Sequence, residues 1–349
     1  MATLKEAALR WIEDDPDPLT RAEGQAIIDA GDESLLREHF GQRLHFGTAG
    51  LRARLGPGPN RMNRALIRRV SSAVGAYMES TLEDAHGRGV VVAFDGRHGS
   101  RPFAEETAGV LTARGFMVYL YDEVTPTPQA AHAARFLGCA GGIVVTASHN
   151  PPQDNGYKVF WANGAQIVPP QDQGISQAID AIDNTSEVEV MALEAARAVG
   201  RLKAVPNQVL ESYLQEVSSL RVYDGPTNLK VVYTAMHGVG RKLIETVLHD
   251  HGYLGLISVA EQGDPDPDFP TVKFPNPEEP GAMDLAFDYG SNADADLIIA
   301  NDPDADRLAV AVRNGSGGYR QLTGNQVGVL LAHELLVHGS KEPGRMVAT

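Results

Sequence analysis

The spacing of hydrophobic residues changes along the chain and divides it into regions of different predicted structure. In the first forty residues, apolar side chains recur at helical spacing, as in Leu4, Ala8 and Trp11. This pattern predicts a helical N-terminal extension over residues 1–43. From residue 90 onward, short and wholly apolar runs alternate with helical stretches. Such alternation is typical of parallel α/β sheets, so we expect an α/β fold after the extension.

The alternation begins again after Pro206 and a third time near Leu322, which predicts domain boundaries. We expect a first domain over 44–205, a second over 206–320, and the start of a truncated third domain over 321–349, because one helix and part of a strand cannot close a core. The predicted strands cover residues 90–94, 116–121, 142–146, 229–233, 257–260 and 297–300, with the start of a further strand at 346–348. The predicted helices cover residues 102–114, 128–137, 209–220, 241–251 and 325–337. Residues 264–280 are predicted to form a proline-rich loop.

Composition and charge narrow the classes of partner and the compartment. The chain has 30 Lys and Arg against 45 Asp and Glu, a formal net charge of −15, which argues against a nucleic-acid partner but leaves anionic substrates open. The single cysteine, Cys139, excludes an intrachain disulfide, favours a reducing compartment and is expected to be a buried structural thiol. With neither a signal peptide nor a membrane-spanning run evident, we expect a cytoplasmic protein with no membrane partner and no obligate protein partner.

The segment after the predicted strand 142–146 carries the first candidate chemistry. It reads Thr-Ala-Ser-His-Asn-Pro from Thr146, and Lys158 follows shortly afterwards. Ligands collect beyond the carboxyl ends of parallel strands, so Ser148 is placed as a nucleophile that His149 and Lys158 could assist. A turn in which Ser148 satisfies backbone groups of the loop explains the same residues equally well. Local chemistry leaves both interpretations open.

The segment after the predicted strand 297–300 carries three carboxylates at alternating positions, Asp302, Asp304 and Asp306, followed by Arg307. Converging carboxylates repel one another, and a bound Mg²⁺ with hard oxygen ligands removes that cost. Arg307 is then placed beside the metal to bind a phosphate. The alternative, a solvated acidic turn, is disfavoured because apolar runs flank the triplet on both sides.

A glycine-rich segment, Phe46-Gly-Thr-Ala-Gly-Leu-Arg52, precedes the first predicted sheet. Its backbone could approach an anion closely, with Arg52 adding charge. The chain has no phosphate-binding loop of the Walker A type, so nucleotide binding is not indicated. Together, a serine nucleophile, metal-binding carboxylates and cationic phosphate-binding residues indicate phosphoryl transfer.

Three of these segments match motifs of one family, the α-D-phosphohexomutases. Residues 146–151 resemble its phosphoserine loop, 302–307 resemble its magnesium loop, and 47–52 resemble its N-terminal active-site strand. The N-terminal extension and segments such as 156–159 and 269–273 narrow the resemblance to the branch of phosphoglucomutase-2 and phosphopentomutase. The resemblance implies tandem α/β/α domains with mixed, mostly parallel sheets.

The resemblance also implies roles for individual residues. Ser148 would carry the phosphoryl group, and its phosphate oxygen would bind Mg²⁺ together with Asp302, Asp304 and Asp306. Lys158, Arg52 and His149 would surround the transferring group, with Lys158 the better candidate for proton transfer. Arg307 and Arg52 would bind the substrate's phosphate, and His237 would face the cleft in a role left open.

The expected reaction moves a phosphoryl group between C1 and C6, or C1 and C5, of a sugar phosphate through a sugar bisphosphate intermediate. The family's third-domain sugar-binding loop and its fourth domain do not occur in this sequence, so turnover by this chain and the identity of the sugar stay open. Two alternatives are a Mg²⁺-dependent phosphatase of the haloacid dehalogenase kind, which would capture phosphate on Asp304, and a non-catalytic fragment that binds a sugar phosphate.

Overall fold

The structure is a computed structural model that describes residues 3–222, 225, 227–315 and 317–339. It divides into two compact units: the first holds the described residues up to 147 and 152–206, and the second holds 148–151 and the described residues from 207 onward. Both units have the predicted mixed α/β architecture, and each is built around one sheet.

The first forty residues form the predicted helices. These are α1 (Leu4–Asp14), α2 (Pro18–Ala30) and α3 (Glu33–Phe40). Each begins at a side-chain cap, Thr3, Asp17 and Asp32 respectively, which satisfies amide groups of the first turn. The helices enclose a small apolar core of their own, so the extension is a packed element of the first unit.

A six-stranded sheet with a parallel centre organises the first unit, in the order β1-β5-β4-β2-β3-β6. Its strands are β1 (Leu51–Arg54), β2 (Val90–Phe94), β3 (Val118–Leu120), β4 (Gly141–Val145), β5 (Asp154–Trp161) and β6 (Leu202–Ala204), and its helices are α4 (Arg64–Thr81), α5 (Ala85–Arg88), α6 (Ser100–Ala113), α7 (Thr127–Phe136), α8 (Gln171–Asp180) and α9 (Leu193–Ala198). Strands β4, β2, β3 and β6 pair in parallel, whereas β1 and β5 add antiparallel at one side.

The wholly apolar runs in the sequence became the central strands because both sheet faces are covered. All five residues of β2 and all five of β4 are buried. Cys139, just before β4, is buried as predicted, and burial raises the pKa of its thiol to about 12. This thiol therefore stays protonated at neutral pH and is unsuited to be a nucleophile.

The second unit has a five-stranded mixed sheet in the order β11-β10-β9-β7-β8. Its strands are β7 (Val231–Thr234), β8 (Leu256–Ser258), β9 (Leu297–Ala300), β10 (Ala309–Arg313) and β11 (Tyr319–Gln321), and its helices are α10 (Asn207–Ser219), α11 (Arg241–Asp250), α12 (Asp284–Ala293) and α13 (Gly324–His338). Strands β8, β7 and β9 pair in parallel, so their carboxyl ends meet at one edge. The loop that carries the three aspartates leaves that edge.

Some sequence predictions need adjustment. The strand expected at 257–260 ends at Ser258, and a short 3-10 turn begins at Ala260. The expected loop over 264–280 contains no helix or strand, and the strand start expected at 346–348 lies outside the described residues. Within the described part of the chain, no helix combines the length and the apolar character needed to cross a bilayer.

Candidate active site

Ser148 lies in a short loop that follows β4 and joins the second unit. Its backbone adopts a left-handed conformation, with φ of 55°, and its side chain is almost wholly buried. The hydroxyl donates a hydrogen bond to Oδ2 of Asp302 at 2.6 Å and lies 3.1 Å from Nδ1 of His149. A bond between residues 154 positions apart brings the candidate nucleophile to the candidate metal ligands.

The carboxylate loop, residues 301–307, connects β9 to the antiparallel strand β10. Ligand oxygens of Asp302, Asp304 and Asp306 all lie within 4.8 Å of one another. Asp302 and Asp304 are fully buried, whereas Asp306 is exposed. The structure therefore brings together the three carboxylates that the sequence singled out.

The electrostatics of this cluster fit a divalent cation. Burial, followed by the charges of Asp304 and Asp306, raises the pKa of Asp302 to about 8, against the lowering effect of the Ser148 hydrogen bond. Three carboxylates that share so small a space are stable together only with protons or a cation among them. The all-oxygen donor set suits Mg²⁺, a hard ion that prefers such ligands.

Arg307 closes the carboxylate loop and lies beside the aspartates. Its amide donates to Oδ1 of Asp302 at 3.1 Å, and its Nε lies 3.9 Å from Oδ2 of the same residue. Its side chain is 40% exposed and lines a cleft of about 290 Å³ together with Asn276 and Glu278. A guanidinium in an open cleft beside a metal site is suited to bind a phosphate group.

The other two predicted cationic residues lie in the first unit. Arg52 is in β1 opposite Gly156 of β5, and Lys158 lies two positions further along β5. Residues paired across strands, and residues two apart in one strand, point to the same face. Arg52 and Lys158 therefore share one face of the first sheet, and Lys158 is almost wholly buried.

The regions that contain the two sheets each match a known family. Residues 43–186 match the family model described as phosphoglucomutase/phosphomannomutase, alpha/beta/alpha domain I, and residues 211–317 match the corresponding domain II. The chain belongs to the phosphoglucomutase/phosphomannomutase family. This result confirms the predicted resemblance and places the chain in the α-D-phosphohexomutase superfamily.

Curated relatives of this mutase family agree with the predicted branch. The chain is 39% identical over 339 residues to the phosphopentomutase of Homo sapiens, an alignment that covers 95% of this chain and 55% of the relative. It is 40% identical to the phosphoribomutase of Saccharomyces cerevisiae, covering 94% of this chain and 55% of the relative. It is also 37% identical to the phosphoglucomutase of Staphylococcus saprophyticus, over 82% and 52%. The chain thus spans about half the length of the curated relatives it matches, and these relatives are named as mutases.

Solved structures support the same fold. A phosphoglucomutase/phosphomannomutase family protein from Burkholderia thailandensis aligns with a TM-score of 0.65 at 26% identity, covering 84% of this chain and 58% of that one. The tandem α/β/α organisation expected from the sequence is therefore confirmed.

Sequence reasoning missed a buried polar network next to the loop that carries Ser148. Asp95, the residue after β2, accepts hydrogen bonds from the hydroxyls of Ser100 and Thr146, each at 2.6 Å. The Arg97 guanidinium lies 3.4 Å from the same carboxylate. Asn155 extends the network by donating to Ser100 at 3.0 Å. The available signal was the polar Asp95-Gly-Arg directly after an apolar strand.

His237, whose role the sequence left open, lies in the loop after β7 and is buried. Its Nε2 lies 2.8 Å from the Thr271 hydroxyl, and its ring meets Phe269 edge to face. Burial lowers the pKa of this imidazole, against the opposing charge of Asp266. A largely buried ring held in this way is typical of a structural or positioning histidine.

Proposed function

We propose that this chain carries the phosphoryl-donor half of a phosphosugar mutase, with Ser148 as the phosphorylated residue. The observation that carries the proposal is the 2.6 Å hydrogen bond from the Ser148 hydroxyl to Asp302, within a cluster of three convergent carboxylates. A serine oxygen that touches a metal-binding carboxylate is where a phosphoryl group would add one further oxygen ligand.

The reaction proposed for this site exchanges one phosphate ester for another. A sugar hydroxyl oxygen forms a bond to the phosphorus of phospho-Ser148, and the bond from phosphorus to Ser148 Oγ breaks. The sugar proton passes to a base, and the departing Ser148 Oγ takes up one proton to become a hydroxyl again. We assign that base to Lys158, which is almost wholly buried. Arg307 and Arg52 are proposed to bind phosphate oxygens, and His149 to orient the Ser148 hydroxyl.

Asp302, Asp304 and Asp306 are proposed to hold Mg²⁺ with an oxygen of the phosphorylated Ser148. When bound, Mg²⁺ neutralises negative charge on the phosphoryl oxygens during transfer. A sugar bisphosphate would be the intermediate that returns a phosphoryl group to Ser148 at the end of the cycle.

The substrate class is proposed from the relatives. Relatives of this chain are named phosphopentomutase, phosphoribomutase, phosphoglucomutase and glucose 1,6-bisphosphate synthase. We therefore propose transfer between C1 and C5 of a pentose phosphate, or between C1 and C6 of a hexose phosphate. Phosphate capture by Asp304, as in a phosphatase of the haloacid dehalogenase kind, explains neither the family match nor the Ser148 contact.

We also propose the domain limits expected from the sequence: an extension over 1–43, the phosphoserine domain over 44–205, the magnesium domain over 206–320 and the start of a third domain from 321. Support comes from the division of the chain near residue 206 and from the two family matches. The cytoplasmic location favoured by a single cysteine stays a prediction.

The intact mass of the purified chain tests the proposed function. The mass is measured before and after incubation with Mg²⁺ and glucose 1,6-bisphosphate, and the modified residue is located by fragmentation. We expect one added phosphoryl group on Ser148. Ser148→Ala should gain none, whereas Ser80→Ala, which removes an exposed serine of α4, should gain one as the unmodified chain does.

Two outcomes would count against the proposal. A phosphoryl group on Asp304 would favour the phosphatase alternative. A folded chain that binds the bisphosphate but gains no mass would favour the non-catalytic alternative.

A further inference from the structure

The carboxylate loop is held at both of its ends by Asn301, which precedes the first aspartate. The Asn301 amide donates to the Thr234 carbonyl at 3.1 Å, which attaches the start of the loop to β7. Its side-chain Nδ2 donates to the carbonyl of Arg307 at 2.5 Å. The Arg307 amide in turn donates to Oδ1 of Asp302. Asn301 thus fixes the separation between the first and last residues of the loop.

Tyr233, in β7, orients the Asn301 side chain. Its hydroxyl donates to Oδ1 of Asn301 at 3.1 Å, and its own side chain is almost completely buried. With the amide oxygen held by Tyr233, the amide nitrogen points to Arg307. This buried phenol therefore acts on the carboxylate loop through the Asn301 side chain.

The middle of the carboxylate loop rests on the 236–240 loop, which follows β7. Gly238 packs so closely on Pro303 that a Cβ atom there would lie 2.3 to 2.7 Å from three backbone atoms of Pro303. The Val239 amide donates to the Pro303 carbonyl at 2.8 Å. Pro303 separates Asp302 from Asp304 in the sequence, so its position sets how these two carboxylates converge.

The 236–240 loop is itself anchored away from the carboxylates. Met236 and His237 adopt left-handed backbone conformations, with φ of 48° and 58°. The His237 amide donates to the Gln262 carbonyl at 2.9 Å, and its ring is bonded to Thr271, whose hydroxyl also accepts from the Gln262 side chain. A buried set of contacts therefore holds Gly238 and Val239 against Pro303.

We propose that Tyr233 and the 236–240 loop are positioning residues that set the Mg²⁺ affinity of the carboxylate loop. This inference rests on the proposed function, because it takes Asp302, Asp304 and Asp306 as the metal ligands. Mutation of groups that orient metal ligands commonly lowers metal affinity by about ten- to a hundredfold. Here Tyr233 and the 236–240 loop hold the backbone of the carboxylate loop, through Asn301 and Pro303 respectively. Because His237 anchors the 236–240 loop, it too has a positioning role.

Two variants test the inference, with Mg²⁺ titrated by calorimetry and Mn²⁺ used as a paramagnetic probe. Gly238→Ala introduces a methyl group that must displace Pro303, and we expect at least about a tenfold loss of Mg²⁺ affinity. Tyr233→Phe removes only the hydroxyl that holds Asn301, and we expect a loss of roughly threefold. Both variants should also change the line shape of bound Mn²⁺ in the electron paramagnetic resonance spectrum, which a merely stabilising residue would leave unchanged.

Gly315→Ala is the matched control, because a Cβ atom at this exposed glycine meets nothing within 4 Å. It should bind Mg²⁺ as the unmodified chain does. Unchanged affinity and Mn²⁺ line shape in folded Gly238→Ala and Tyr233→Phe would overturn the inference, and Tyr233→Phe alone decides if Gly238→Ala does not fold. If the unmodified chain binds neither metal ion, the metal assignment within the proposed function fails and the inference fails with it.

Discussion

Each unit of the molecule has a buried aspartate at the end of a parallel strand, and the two aspartates have opposite surroundings. Asp95 directly follows β2 in the first unit, and Asp302 follows β9 in the second. Burial raises the pKa of both. Around Asp95, a guanidinium group and two hydroxyl groups oppose that rise. Around Asp302, two further carboxylates add to it.

This difference separates a structural carboxylate from a candidate metal ligand. The first unit supplies its own cation and hydrogen-bond donors to Asp95, so this residue completes a buried polar network. The second unit gathers negative charge around Asp302 and opposes it with the Ser148 hydroxyl, the Arg307 amide and a half-exposed Arg307 guanidinium whose Nε lies 3.9 Å away. One half-exposed guanidinium cannot neutralise three carboxylates, and this shortfall of positive charge is the physical argument for a bound cation.

The largest expected effect is an opposite change of stability on removing each charge. Asp95→Asn removes a negatively charged partner of the buried Arg97 guanidinium. We expect this change to lower the free energy of unfolding by about 3 kcal/mol. Asp302→Asn relieves repulsion among carboxylates, and we expect it to raise the free energy of unfolding of the metal-free protein by about 1 to 2 kcal/mol.

Chemical unfolding in the presence of a chelator measures both changes. Addition of Mg²⁺ supplies the control, since it should stabilise the unmodified chain and Asp95→Asn but not Asp302→Asn. The comparison between the two aspartates would be wrong if both variants lowered the stability of the metal-free protein by similar amounts.

The second largest expected effect is a dependence on pH of the stabilisation that Mg²⁺ gives to the folded protein. A carboxyl group with a folded-state pKa of about 8, far above its unfolded value, favours folding while it is protonated, and this contribution is lost as the pH rises through that range. Metal-free protein should therefore lose stability between about pH 4 and pH 8, and Mg²⁺, which replaces the proton, should raise the melting temperature more at about pH 8.5 than at about pH 6.

Melting temperatures with Mg²⁺ and with chelator, measured across this pH range, test the prediction. Asp302→Asn should remove most of the pH dependence of the difference between the two conditions. A Mg²⁺ effect of equal size at all pH values would show that Asp302 is already ionised in the metal-free protein.

The central strands were predictable from the sequence because complete burial demands wholly apolar runs, as in β2 and β4. Several elements were not predicted, and α4 and β5 show why. The long helix α4 has small polar residues on its buried side, including Ser71 and Ser72, which interrupt the apolar pattern. In β5, Asn155-Gly156 reads as a turn, yet Gly156 is needed within the strand because a Cβ atom would lie 2.5 Å from the Thr146 carbonyl oxygen.

The residues of the candidate site also divide into those that could be predicted from the sequence and those that could not. Ser148 and the three aspartates were predictable because each follows an apolar strand at the edge where ligands collect. The residues that hold them in place were not. Tyr233 meets Asn301 across 68 positions and Asp95 meets Thr146 across 51, and neither pairing leaves a local pattern. Sequence motifs therefore located the candidate side chains, whereas the groups that orient them could be identified only in the fold.

The smallest expected effect links Asp95 to the loop that carries Ser148. Thr146→Val keeps the side-chain shape but removes the hydrogen bond to Asp95, and we expect it to lower the free energy of unfolding by about 1 kcal/mol. Thr146 lies two positions before Ser148, so the rate of Ser148 phosphorylation should fall while Mg²⁺ affinity stays the same. Thr146→Ser keeps the hydroxyl and should restore that rate. Mg²⁺ affinity serves as the internal control, because the candidate metal ligands belong to the other unit. Equal phosphorylation rates in Thr146→Val and the unmodified chain would limit the Asp95 network to stability alone.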